Sequence, residues 1–80
     1  MNGIRKTPHF ITIHPDVRFG KPTINGTRIT VEDILLLLES GYRIDEIPRQ
    51  YPVITLAVAK QAVRYAASIL GKEETLTITA

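Results

Sequence analysis

The residues with chemistry to offer are His9, His14, the adjacent carboxylates Glu32 and Asp33, and a stretch rich in glycine and cations, Gly20-Lys21-Pro22 with Asn25-Gly26-Thr27-Arg28. His9 and His14 flank a β-prone run at odd separation. Such spacing turns their imidazoles to opposite faces, so they do not share a metal or a substrate and read as surface or capping groups. Glu32 and Asp33 are neighbours on an expected helix and point about 100° apart, a poor acid/base pair and a good helix N-terminus. The glycine stretch lacks the spacing of a phosphate-binding Walker loop, and Pro22 removes one amide donor, so a rigid turn followed by an Asn-Gly hairpin is the simpler reading. No nucleophile, base or metal set converges. The chain is expected to be no enzyme and to use no cofactor or metal.

Recognition of a polyanion is the chemistry that remains. Lys60, Gln61, Arg64 and Ser68 gather on one side of an alanine-rich helix expected over Leu56 to Leu70, capped by Thr55 and stopped at Gly71. Leu56, Ala59, Val63, Ala66 and Leu70 form the opposite, apolar stripe at helical spacing. A short helix over Ile44 to Gln50, a turn holding Pro52, and this longer helix have helix-turn-helix proportions. In that arrangement the second helix enters the major groove, and Thr55, Ala57, Lys60, Gln61 and Arg64 meet DNA. Gln61 suits an adenine edge, Arg64 or Lys60 a guanine or a phosphate. A solvated face that keeps the domain soluble is the alternative.

The elements that position this face begin with Phe10 to His14, β-branched and aromatic, which reads as a strand ended by Pro15-Asp16. Asn25-Gly26 lies between short β-prone pairs and predicts a type I′ hairpin turn. Thr30, with Asp33 three residues on, caps a helix over Val31 to Ser40 that Gly41 ends in a left-handed conformation. This helix is apolar nearly all round: Val31, Ile34, Leu35 and Leu38 serve the core, leaving Leu36 or Leu37 for a subunit contact or for burial under the hairpin. Thr75 to Thr79 alternates with period two and predicts a C-terminal strand.

Length and charge bound the rest. Eighty residues make one domain, residues 1–80, with a core over 10–70 and a tail over 71–80. So small a core needs support, and without cysteine that support is expected to be a homodimer or another partner. The first residues lack an apolar signal core and no run approaches a bilayer span, so a cytoplasmic protein is expected. Residues 1–28 carry a net +4, 29–47 a net −4, 48–70 a net +3 and the tail −1. Basic segments flanking an acidic one suit a polyanion on one face, although chance clustering does the same in so short a chain.

The order and spacing of Gly20-Lys21-Pro22, Gly26-Thr27-Arg28-Ile29, Glu39-Ser40-Gly41, Glu46-Ile47, Tyr51-Pro52 and Arg64-Tyr65-Ala66 resemble the domain of unknown function 433 family, over roughly residues 10 to 70. The resemblance implies a trihelical, homeodomain-like helix-turn-helix preceded by short strands, hence a mainly α fold. It also implies an antitoxin of a VapBC-like toxin-antitoxin module, which silences a PIN-like ribonuclease toxin and represses the shared operon. The chain departs from the family pattern at Phe19, where many members carry glycine, and at Leu56-Ala57-Val58-Ala59, where acidic residues usually open the last helix. Within this reading, Leu76 and Ile78 of the tail either add a strand to the toxin or pair with the strand Phe10 to His14 of the same or a neighbouring chain. A protein-interaction module that assembles through the leucine-rich helix and never touches DNA is the competing expectation.

Overall fold

The computed structural model describes residues 8–78, and of residues 72–78 the helical backbone alone. In chain order it has β1 (Ile11–Thr12), a three-residue turn Arg18–Gly20, β2 (Thr23–Ile24), α1 (Val31–Glu39), a 3₁₀ turn (Ile44–Glu46) running straight into α2 (Ile47–Gln50), and α3 (Leu56–Ile78). Among the described residues the fold is mainly α, with three helices and one short antiparallel hairpin.

Of the expected strand Phe10 to His14, only Ile11 and Thr12 are strand, paired with Ile24 and Thr23 of β2. The partner limits its length: β2 is bounded by Pro22 and by the Asn25-Gly26 turn. That turn closes with Thr27 N donating to Ile24 O at 3.0 Å, and Ile24 N donates to Ile29 O at 2.8 Å. Gly26 has a φ of 77° while Asn25 is not left-handed, so the turn is not type I′ as expected. Asn25 is held otherwise. Its amide nitrogen donates to His9 O, its backbone N–H donates to Phe10 O at 2.9 Å, and its side-chain oxygen meets the Thr12 hydroxyl, so it staples β1 to the turn.

Helix α1 starts and stops as the sequence predicts. Thr30 Oγ1 accepts from Asp33 N at 2.8 Å and Asp33 Oδ2 accepts from Thr30 N at 3.0 Å, a reciprocal capping box. At the other end Gly41, with a φ of 108°, lets Tyr42 N donate to Leu37 O and Gly41 N to Leu38 O. These two bonds are those of a Schellman motif, which satisfies the last carbonyls. Pro48 lies in the first turn of α2, where its missing N–H breaks no helical bond.

The core is built from Ile11 and Ile24 of the hairpin, Val31 and Ile34 of α1, Ile47, Ile54, and Ala59 and Ala62 of α3. Ala59 and Ala62 are wholly buried. Their small side chains let the backbone of α3 lie close to its neighbours, and Val58, Tyr65 and Ala66 pack around them. This face is rotated from the apolar stripe that the sequence predicts: Leu56 is 38% and Leu70 55% exposed, while Ala62 is inside. In an alanine-rich helix apolar periodicity fixes the phase poorly, because alanine is compatible with either side.

The tail corrects a further expectation. Helix α3 does not stop at Gly71 and no strand forms at Thr75 to Ile78; the helix runs on to Ile78. Extending a formed helix adds one hydrogen bond for each residue fixed, and Lys72, Glu73 and Glu74 are good helix formers, so one glycine does not end it. Leu76 and Ile78 therefore lie on a helix, and their side chains fall outside the described residues. Among the described residues no helix is long and apolar enough to cross a membrane.

Candidate nucleic-acid interface

Helix α3 begins at a cap made by Thr55, whose hydroxyl accepts from Val58 N at 3.1 Å and whose carbonyl accepts from Ala59 N at 2.9 Å. With Ala59 and Ala62 turned inward, the opposite side must carry Ala57, Lys60, Gln61, Arg64 and Ser68, and all five are exposed. Lys60 and Arg64 are one turn apart near the middle of this face. Gln61 sits about 100° from Lys60 around the helix, nearer the N-terminal segment. There Gln61, Arg64, Tyr65 and Ser68 of α3 form a groove of about 280 Å3 with Pro8 and Phe10. The wall supplied by Pro8 and Phe10 was not foreseen, since its only sign in the sequence is an aromatic residue at a strand end.

Elsewhere three cations are engaged. Arg18 Nη1 donates to Asp33 Oδ2 at 3.1 Å and to Arg28 O at 2.7 Å; Lys21 Nζ donates to Glu32 Oε1 at 2.7 Å. Arg43 grips Asp45 through Nε at 3.1 Å and Nη2 at 2.8 Å, while its N–H donates to Glu46 Oε1. Partial burial pushes the Asp33 carboxyl up, but hydrogen bonds from Thr30 and Arg18 outweigh it and hold that carboxyl below the usual range. The Arg43 guanidinium lowers Asp45 in the same direction. Among the described residues, Lys60 and Arg64 have no side-chain hydrogen bond or ion pair, and Leu56 to Gly71 contains no acid. Two cations at i and i+4 repel by a few tenths of a kcal/mol, and an anion against them removes that penalty.

The other expected site residues are dispersed. Leu36 is 51% exposed, whereas Leu37 packs against the core. His14 Nδ1 accepts from Asp16 N at 3.1 Å, a local turn contact consistent with the structural role expected for it. No group of three or more metal-ligating side chains occurs among the described residues. Lys21, the cation of the glycine stretch, is paired with Glu32, and Pro22 O accepts from Val31 N, so this segment behaves as a rigid turn. Phe19, which the sequence marks only as standing where many family members carry glycine, is 93% exposed on a left-handed backbone.

The family described as a protein of unknown function, DUF433, matches residues 11–66 of the chain. No curated protein and no solved structure matches it.

Proposed function

Because the chain belongs to the DUF433 family, whose description assigns no activity, we propose its function from the site: α2, the turn through Ile54 and α3 act as a helix-turn-helix of homeodomain-like, trihelical type. In this reading α3 enters the major groove, Lys60 and Arg64 contact phosphate or guanine, Gln61 reads an adenine edge, and the capped start of α3 at Thr55 approaches a phosphate. The observation that carries it is the exposed Lys60 and Arg64 pair, with no acid between Leu56 and Gly71 and with Ala59 and Ala62 on the opposite side in the core. A homodimer, with the exposed Leu36 as first candidate for its contact, since Leu37 packs against the core, presents two such helices to two half-sites. The role is that of a cytoplasmic antitoxin that represses its own operon and neutralises a PIN-like ribonuclease toxin, with the tail around Leu76 and Ile78 as the toxin contact.

The test is a gel shift with the DNA upstream of the gene, comparing the wild type with Lys60→Ala/Arg64→Ala at two salt concentrations. The wild type should bind and lose affinity steeply as salt rises, and the double variant should bind more weakly with a shallower slope. Equal binding by both removes α3 as the DNA face. Copurification with the product of the adjacent reading frame tests the antitoxin role separately. A second reading, a protein-docking module, is favoured by Val53 and Leu56, 69% and 38% exposed at the start of α3; it predicts partner binding insensitive to salt.

A further inference from the structure

Arg18, Phe19 and Gly20 have φ of 49°, 60° and 80°, three consecutive residues in the left-handed region. Glycine occupies that region freely, whereas a side chain at φ > 0 is strained. The turn is nonetheless rigid: Gly20 N donates to Val17 O and Lys21 N to Arg18 O, while the Arg18 side chain ties it to Arg28 O and to Asp33. Such a turn holds the Phe19 ring out at 93% exposure, so burial within its own chain offsets neither the strain nor the exposed apolar area. Phe19 therefore has the character of an interface anchor, a pre-positioned aromatic with little freedom left to lose on binding.

Three residues on, Pro22 forms one wall of an apolar groove between α1 and α3, completed by Val31, Leu35, Tyr65, Ile69 and Leu70. Its volume is about 220 Å3; a cavity of about 150 Å3 holds benzene, so a phenyl ring fits. Charge follows the same division. Glu32, which lines the groove, is already bonded to Lys21 of the same chain, so the charges left over are Glu39, one turn beyond Leu35 on α1, and Arg28, whose carbonyl holds Arg18 of the Phe19 turn. Glu39 and Arg28 have no side-chain ion pair among the described residues.

We propose that the occupant of the groove is Phe19 of a second copy of this chain, in a two-fold dimer where each copy gives its ring to the other's groove and Arg28 faces Glu39. Pro22 of the groove wall follows Phe19 by three residues and Lys21 is bonded to Glu32 of the groove, so projection and groove lie close together, as a reciprocal two-fold contact needs. The inference supplies a dimer contact apart from Leu37, which the core already uses, and it does not depend on DNA binding.

Sedimentation equilibrium without DNA tests it, from micromolar concentrations upward. The wild type should dimerise, and Phe19→Gly, which removes the ring and suits the left-handed backbone, should raise the dimer Kd roughly 30-fold or more. A thermal melt of that variant under monomeric conditions should show it at least as stable as the wild type, excluding misfolding as the cause. Arg28→Glu should weaken the dimer and Arg28→Glu/Glu39→Arg should restore it. A monomeric wild type, a Phe19→Gly variant that dimerises as well as the wild type, or a charge swap that fails to restore association overturns the proposal.

Discussion

Replacing Asp33 by asparagine tests the network that holds the loop before α1 to the helix. Asp33 Oδ2 accepts from Thr30 N and from Arg18 Nη1, and its side chain is 23% exposed against 33% for Arg18. Asparagine keeps the shape and one acceptor but loses the charge. A partly exposed charge-assisted bond and a capping carboxylate at a helix N-terminus together stabilise by about 1–2 kcal/mol. For a domain of this size that corresponds to a fall in Tm of roughly 4–16 °C at neutral pH. The sign with pH follows from the direction of the shift. The folded carboxyl lies below its unfolded value of about 3.9, so its stabilisation is complete above that pH and vanishes as pH falls through the folded pKa. Thermal melts of wild type and variant from neutral pH down to strong acid should therefore show a gap that closes below about pH 4. A gap absent at neutral pH, or undiminished in acid, would refute the electrostatic account of this cap.

Two glycine substitutions have opposite expected signs. Gly71→Ala should stabilise by about 0.5–1 kcal/mol in a urea melt, because Gly71 is inside α3 with open space around its Cα, and destabilisation would mean that the helix ends there. Gly26→Ala meets no neighbouring atom within 4 Å but forces a φ of 77° on alanine, so it should destabilise by about 1–2 kcal/mol in the same assay. For DNA binding, Lys60→Ala/Arg64→Ala should reduce the slope of log K against log salt by about 1.8 per bound protomer, since each phosphate neutralised contributes about 0.9. An unchanged slope in a fluorescence anisotropy titration would assign the phosphate contacts to other residues.

What was legible in the sequence were decisions made within a few residues. Thr30 with Asp33, Gly41, and Thr55 each satisfy backbone groups beside them, so residue type and spacing suffice to place the helix ends. The misreadings arose where distant parts of the chain decide. Alternation at Thr75 to Thr79 suggests a strand, but a strand needs a partner and a growing helix needs none. Asn-Gly favours a type I′ turn locally, yet Asn25 is recruited to β1, far back in the chain, and only Gly26 takes a positive φ. The phase of α3 was fixed by which helices come near it, and the buried pair proved to be Ala59 and Ala62.

The charge pattern was informative in another way than segment counting implied. Counting gives an acidic middle between two basic ends, as though a carboxylate surface separated two cationic ones. In the fold, Glu32, Asp33, Asp45 and Glu46 are all engaged, in ion pairs with Lys21, Arg18 and Arg43 or in a cap, and these contacts use two of the cations that the count assigned to binding, Arg18 and Lys21. Among the described residues, neutralisation by local structure thus narrows the basic surface to the side chains of Arg28, Arg49, Lys60 and Arg64, which make no ion pair. Lys60 and Arg64 are adjacent on one helix face, and Arg28 stands apart beside the Phe19 turn. The separation argues for two different uses: the first pair has the spacing to meet a polyanion, and the lone Arg28, next to an exposed ring, has the setting of a protein contact.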